Sequence, residues 1–267
     1  MDMLAHYGFH KIPFTQELQP DEHLPLPHFD QALADLRKSV EKRMCATLIA
    51  PSGTGKTGVL RLLRHHLPEA RYHVRYVKVT SLSKRDLCRE ITAACGLRPA
   101  GTYPNLVRRL QEHWEVSSQT DGIRHLLILD EAHDMRPEVL AILRILTNFE
   151  MDSRLVLSVV LAGQPALKVL LRKEELEDVA RRMAAYATLR LLSRDETIKY
   201  VEHRCAIAGA SSVPFDTGAL EAIYEMSRGN MRTIDHLALE ALEIAADSDA
   251  ETVASGHIIA ARRKLWP

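Results

Sequence analysis

The chain has 267 residues, enough for one α/β unit with an appended lobe. Its 46% apolar and 26% charged content is that of an ordinary globular protein, which excludes a disordered, collagen-like or disulfide-scaffold chain. Thirty-five Lys and Arg balance thirty-five Asp and Glu, so no global field draws the protein to DNA or to an anionic membrane, and any polyanion site has to be a local patch.

A Pro-rich stretch, Pro20 to Pro27, precedes apolar positions Leu33, Leu36 and Val40 at helical spacing, which predicts a helix over 29–43. Cys45 to Ala50 is short, apolar and bounded by Pro51 and Gly53, and reads as a buried strand leading into a helix over 56–66. Tyr72 to Val79 alternates as a second strand does, and helices are expected over 83–95 and 105–116. Buried strands follow at 125–129 and 155–161, helices at 137–148 and 166–182, and a fifth strand at 186–191. Strands alternating with helices imply a parallel five-stranded sheet sandwiched by helices. From Ser193 on the pattern is helical only, over 193–208, 216–226, 231–246 and 252–265, with Asp195 and Glu196 suited to a capped first turn. The expected organisation is therefore an N-terminal arm over 1–28, an α/β domain over 29–192 and a small helical lid over 193–267.

No apolar run approaches the roughly 18 residues that span a bilayer, and residues 1–14 have neither the basic nor the apolar part of a secretory signal. The reading is a cytoplasmic protein with no membrane partner. Cys45, Cys88, Cys95 and Cys205 form no CxxC pair and read as reduced core thiols, and thirteen histidines show no zinc spacing, so no zinc is expected.

The strongest chemical signal is Ala50-Pro-Ser-Gly-Thr-Gly-Lys-Thr57, between a predicted strand and a predicted helix. It is a P-loop whose first Gly is replaced by Ala50. Gly53 and Gly55 let the backbone of Pro51, Ser52, Gly53, Thr54, Gly55 and the first helical residues through Gly58 curl its N–H groups onto phosphate oxygens. Lys56 would reach the β- and γ-phosphates of ATP, and Thr57 would offer its hydroxyl to Mg²⁺. Downstream, His125-Leu-Leu-Ile-Leu-Asp-Glu131 is an apolar strand ending in two carboxylates. Asp130 can orient Mg²⁺, and Glu131 can take a proton from the attacking water, with Asp134 the nearest other carboxylate. Together the two motifs make an ATPase site.

With these motifs the chain resembles an AAA+ ATPase along nearly its whole length. Tyr7-Gly-Phe9 with Pro13-Phe14, Leu161-Ala-Gly-Gln-Pro165 and Ser227-Arg-Gly-Asn-Met-Arg232 are similar to the ExeA group and its transposition relatives TniB, TnsC and, more distantly, MuB. The resemblance implies that Tyr7 and Phe9 lie near the adenine, although their aromatics would equally serve an arm packed on the core. It implies that Gln164 is sensor 1, that Arg232 is sensor 2, and that Arg182, with Arg181 as the alternative, is an arginine finger entering a neighbouring subunit. A finger in trans implies an ATP-dependent homo-oligomer, as a ring or filament.

Two roles follow from the resemblance. One is a regulator that assembles on duplex DNA without sequence preference and marks a target for a transposase, with a target-selector protein as a further partner. The other is a secretion-assembly ATPase of the ExeA type; apart from the resemblance, a general ATP switch with protein clients is a further reading. ExeA proteins carry a transmembrane segment and a peptidoglycan-binding domain after the ATPase module; neither occurs before Pro267, which favours the transposition reading. Lys84 and Arg85 after the second strand, with Arg108 and Arg109 on a nearby helix, are the expected phosphate contacts, though each is equally readable as a solvated helix charge.

Overall fold

The computed structural model describes residues 2–266, which form two compact units. The α/β unit comprises Pro27–Pro51 and Lys56–Leu189; the helical unit gathers residues 2–26, the short piece Ser52–Gly55 and residues 190–266.

A short helix α1 (Met3–Tyr7), capped by Asp2 and closed by Gly8 at φ 70°, belongs to the helical unit. The α/β unit then runs α2 (Pro27–Glu41), β1 (Cys45–Ile49), α3 (Lys56–His66), β2 (Tyr72–Lys78), α4 (Lys84–Ala94), α5 (Tyr103–Thr120) and β3 (Arg124–Asp130). It continues through α6 (Pro137–Leu140), α7 (Ile142–Leu146), β4 (Leu157–Gly163), α8 (Ala166–Leu170), α9 (Glu177–Arg181) and β5 (Met183–Thr188).

All four strand pairings are parallel and the order is β2-β3-β4-β1-β5. The central strands β1, β3 and β4 are buried almost throughout, as the continuous apolar runs of a sheet covered on both faces require. Leu127, Leu129, Val159 and Leu161 from these strands pack with Leu87 and Ile91 of α4 and Leu110 and Trp114 of α5. Each such side chain contributes about 1.5–3 kcal/mol by leaving water. A parallel sheet brings the C-terminal ends of β1, β3 and β4 to one rim, with β4 between the other two.

The five expected strands are present, with shifted ends. The helix expected over 137–148 is two short helices meeting at Ala141, and the one expected over 166–182 is α8, a 3-10 turn at Glu174–Leu176, and α9. The fifth strand lies at Met183–Thr188 rather than 186–191, because β5 pairs with β1 from Cys45↔Met183 to Ile49↔Thr188. All four cysteines are free and buried, and burial pushes the Cys88 and Cys205 thiols up to about 12, so they are packing groups rather than nucleophiles.

In the helical unit, α10 (Arg194–Ile207) starts in a capping box in which Ser193 Oγ accepts from the Glu196 N–H and the Glu196 carboxylate accepts from the Ser193 N–H. It is followed by α11 (Thr217–Ser227), α12 (Met231–Asp247) and α13 (Ser255–Leu265), packed around the buried apolar face of α12. The N-terminal arm is built into this unit. Buried Arg204 donates to Thr15 O (2.6 Å) and to Tyr200 Oη (2.7 Å), Tyr200 in turn donates to Asp235, and Phe14 meets Phe215 edge to face. No helix among the described residues is long and apolar enough to cross a membrane.

Candidate active site

At the end of β1 the Ala50 N–H donates to Gly163 O (3.0 Å), and the chain turns through Gly53 and Gly55 at φ 76° and 88° before α3 begins at Lys56. Only glycine adopts that left-handed backbone without strain. The first turn of α3 presents N–H groups with no partner inside the helix, and the helix dipole adds positive potential there. Lys56 is buried, its Nζ donating to Ala50 O (3.3 Å) and Pro51 O (3.4 Å), while Thr57 is exposed. The first-turn amides and dipole of α3 and the buried Lys56 ammonium, all within the α/β unit, are groups suited to a polyphosphate.

The end of β3 is on the same rim. Asp130 is buried; its Oδ1 accepts from the Glu131 N–H (2.8 Å) and its Oδ2 from the Tyr76 hydroxyl (2.8 Å). Burial, reinforced by Asp130 and Glu131, pushes the Tyr76 phenol well up, so it stays a donor. Glu131 has left-handed backbone at φ 57°, and His133 Nδ1 stands 3.4 Å from Glu131 Oε2, with His133 Nε2 3.5 Å from Asp134 Oδ1. Gly163 ends β4 in close approach: a Cβ there would lie 3.1 Å from the main-chain nitrogen of His133. Gln164, half-buried, therefore leaves the sheet between the Ala50 and Glu131 chain ends. Tyr76 and His133 lie beside these carboxylates with no signal of their own in the sequence; the β2–β3 register, with Tyr76 opposite Ile128 and Lys78 opposite Asp130, is what brings the phenol to the acid.

Arg181 and Arg182 close α9 and differ in environment. Arg182 donates to Asp152 Oδ2 (2.7 Å) with its side chain 24% exposed, whereas Arg181 pairs with Glu177 one turn back and is 74% exposed. They line an open cleft of about 590 Å³ with Gln111, Arg144, Asp152 and Asp178, where Arg144 and Asp178 pair at 3.1 Å.

Within the helical unit, Arg228 in left-handed conformation and Gly229 at φ 76° turn the chain from α11 into α12. Asn230 and Arg232 then meet the Ser52–Gly55 piece: Asn230 Nδ2 donates to Ser52 O (2.8 Å), the Arg232 N–H to Gly53 O (3.2 Å) and Arg232 Nη1 to Ser52 Oγ (3.4 Å). Tyr7 donates its hydroxyl to Ala250 O (2.9 Å), and Phe9 is buried.

The basic residues near α4 and α5 share a surface organised by the loop over 96–102. Arg85 Nε donates to Gly101 O (3.3 Å), Arg89 Nε to Pro99 O (3.3 Å) and Arg109 Nη1 to Arg98 O (2.6 Å) and Ala100 O (3.1 Å). Arg108 lies 3.8 Å from Glu112, and Lys84 is exposed at the start of α4. Carbonyl partners hold Arg85 and Arg109 without neutralising them, whereas Arg89 also lies 3.8 Å from the Asp86 carboxylate, as Arg108 does from Glu112. Arg89 and Arg98 also join this surface, and the i, i+4 spacing of Arg85 and Arg89 on one helix is the signal in the sequence that points to the first of them.

A family model described as an AAA domain matches residues 37–171. General secretion pathway protein A of Aeromonas hydrophila is 31% identical over 256 residues, which cover 94% of this chain and 46% of that protein, so the chain spans about half the length of this relative. Among solved structures, Cdc6p from Pyrobaculum aerophilum superposes with a TM-score of 0.74 at 19% identity, covering 94% of this chain and 70% of the other. The Aeropyrum pernix ORC1 protein in complex with DNA gives 0.70 at 19% identity (91% and 67% covered). The Thermotoga maritima RuvB Holliday junction branch migration motor gives 0.62 at 17% identity (92% and 71% covered). At such identities the likeness is one of fold.

Proposed function

The chain belongs to the AAA domain family, and from that premise we propose that it is an ATP hydrolase whose nucleotide state controls assembly of the protein on duplex DNA. The observation that carries the ATPase reading is the single rim of the sheet: Lys56 after β1, Gln164 after β4 and the Asp130–Glu131 pair after β3.

The residues fit ATP with Mg²⁺. The loop over 51–57 offers amides and one buried ammonium, and Thr57 and Asp130 are the hard oxygen donors Mg²⁺ takes. Bound there, Mg²⁺ would offset charge on the β- and γ-phosphates. Lys56 neutralises phosphate oxygens from the protein side. Glu131 accepts a proton from the attacking water as its oxygen bonds to the γ-phosphorus and the bond to the leaving ADP oxygen breaks. Gln164 orients that water. Arg232 reads the terminal phosphate, and an arginine from α9 acts on a neighbouring copy. Arg181 is the freer of the two, since Arg182 must first leave Asp152.

The DNA reading is supported by the basic surface of Lys84, Arg85, Arg89, Arg98, Arg108 and Arg109, which in a protein of zero net charge is a local patch of the kind that binds phosphates irrespective of sequence. The resemblance to TniB and TnsC supports a transposase as the client. A secretion role is the second reading, favoured by the identity to General secretion pathway protein A.

Titration of fluorescent duplex DNA by the protein with ATP, with ADP and with Lys56→Ala tests this. ATP-dependent binding should fall with salt and weaken for Lys84→Ala with Arg85→Ala, while Lys56→Ala should bind neither ATP nor, in consequence, DNA. If the wild-type protein hydrolyses ATP yet ignores duplex DNA at low salt, the DNA reading is refuted and secretion becomes the better one.

A further inference from the structure

We propose that Asn230 is a positioning residue of the phosphate loop: its side-chain amide fixes the direction in which the Gly53 N–H points. The inference rests on the nucleotide-binding reading of that loop.

Asn230 is the N-cap of α12, where its Oδ1 accepts from the Thr233 N–H (3.2 Å). Capping occupies the oxygen alone. The amide nitrogen is left to donate, and it donates to Ser52 O at 2.8 Å. Two residues on, the Arg232 N–H, one of the first-turn donors that a helix cannot satisfy internally, goes to Gly53 O. The first turn of α12 therefore grips two successive carbonyls of the loop.

The consequence follows from peptide planarity. No peptide bond in the described residues is cis, so Ser52 C=O and Gly53 N–H, which share a plane, point in opposite directions. The same holds for Gly53 C=O and Thr54 N–H. With both carbonyls drawn to α12, both amides are aimed away from it, as donors to an anion must be when their carbonyls are withdrawn from it. Gly53 is doubly required. Its φ is 76°, and a Cβ built on it would lie 2.3 Å from Asn230 Oδ1. The turn that delivers Asn230 is equally tight, because a Cβ on Gly229 would lie 2.0 Å from Leu192 O.

The test separates the cap from the grip. Serine caps a helix about as well as asparagine, but its hydroxyl is too short to reach the Ser52 carbonyl. Calorimetric titration of the full chain with Mg²⁺-ADP and Mg²⁺-ATP should show Asn230→Ser raising both dissociation constants by the same factor, about fivefold for one ordinary hydrogen bond. Its melting temperature should match wild type. Asn230→Ala, which loses cap and grip, should lose affinity and melt earlier. Arg232→Ala keeps its main-chain N–H and should weaken ATP more than ADP. If Asn230→Ser binds both nucleotides as wild type does, Asn230 is only a cap; if it weakens ATP alone, it acts through the Arg232 guanidinium. Either result overturns the proposal while leaving the nucleotide site standing, whereas a wild-type protein that binds neither nucleotide overturns the reading beneath it.

Discussion

His125 is the second residue of β3, the strand that ends in Asp130, and its burial makes the stability of the fold depend on pH. The imidazole is 4% exposed, its Nε2 lies 2.7 Å from Ser117 Oγ, and the rings of His73 and His113 are 5.8 and 5.9 Å away, with Arg75 adding positive charge nearby. Burial first, and then these neighbours, lowers its pKa from 6.5 to about 4. The folded protein thus keeps His125 neutral where the unfolded chain would protonate it. The stabilisation is complete above pH 6.5 and is lost as pH falls from there toward 4. Between pH 7.5 and pH 5.0 the unfolded state gains about one and a half pH units of protonation free energy that the folded state does not, or up to about 2 kcal/mol. Urea unfolding followed through the fluorescence of Trp114, which is buried in the same unit, measures this. His125→Gln retains a hydrogen-bonding group toward Ser117 and cannot titrate, so its stability should drop by up to about 2 kcal/mol less than wild type between the two pH values. His113, also lowered by burial, titrates in both proteins and cancels. Equal drops in wild type and variant would refute the reasoning.

Glu131→Gln should bind ATP with near-native affinity and lose turnover by about 10²–10⁴-fold, the usual worth of a general base, in a steady-state phosphate-release assay. Such a variant should also hold the ATP-bound assembly long enough to be seen by light scattering. Arg182→Ala and Arg181→Ala should each bind ATP, but the one that removes the finger should lower turnover by about 10³-fold or more and regain activity when mixed with Lys56→Ala subunits, which carry an intact arginine beside a dead site. No recovery in either mixture would count against action in trans.

The parts of the site carried by one continuous segment are legible in the amino-acid sequence. Ala50 to Thr57 and His125 to Glu131 announce themselves because a buried strand followed directly by chemistry-bearing residues is a local pattern. Tyr76 and His133 are not legible as site residues, since the first reaches Asp130 only through the β2–β3 register and the second reaches Glu131 only through a left-handed residue. The segment over 183–188, Met-Ala-Ala-Tyr-Ala-Thr, has the alanines of a helix, yet it pairs with β1 along its length, so tertiary pairing overrides local propensity. The segment over 166–182 fails as one helix because Leu170, Leu171, Leu176 and Val179 must all be buried, which the turns between α8 and α9 accomplish.

The N-terminal arm shows why residue type alone leaves two readings open. Tyr7 and Phe9 could face a nucleotide base or the protein, and their polar and apolar atoms are both engaged within the helical unit: the Tyr7 hydroxyl on Ala250 O, the Phe9 ring among buried neighbours. Beyond them, His10 N–H donates to Ala208 O, and His10 packs so closely that a Cβ on Gly209 would meet its ring at 2.3 Å. Arg204 then fixes the arm energetically. It is a buried cation whose partners are Tyr200, Asp235 and the Thr15 carbonyl, and burial holds the Asp235 carboxyl up at about 7 even with Arg204 beside it. Removing the arm would take away the Thr15 acceptor and the Phe14 ring over which the guanidinium lies, leaving a desolvated charge short of partners. The arm is thus a structural part of the helical unit in its own right.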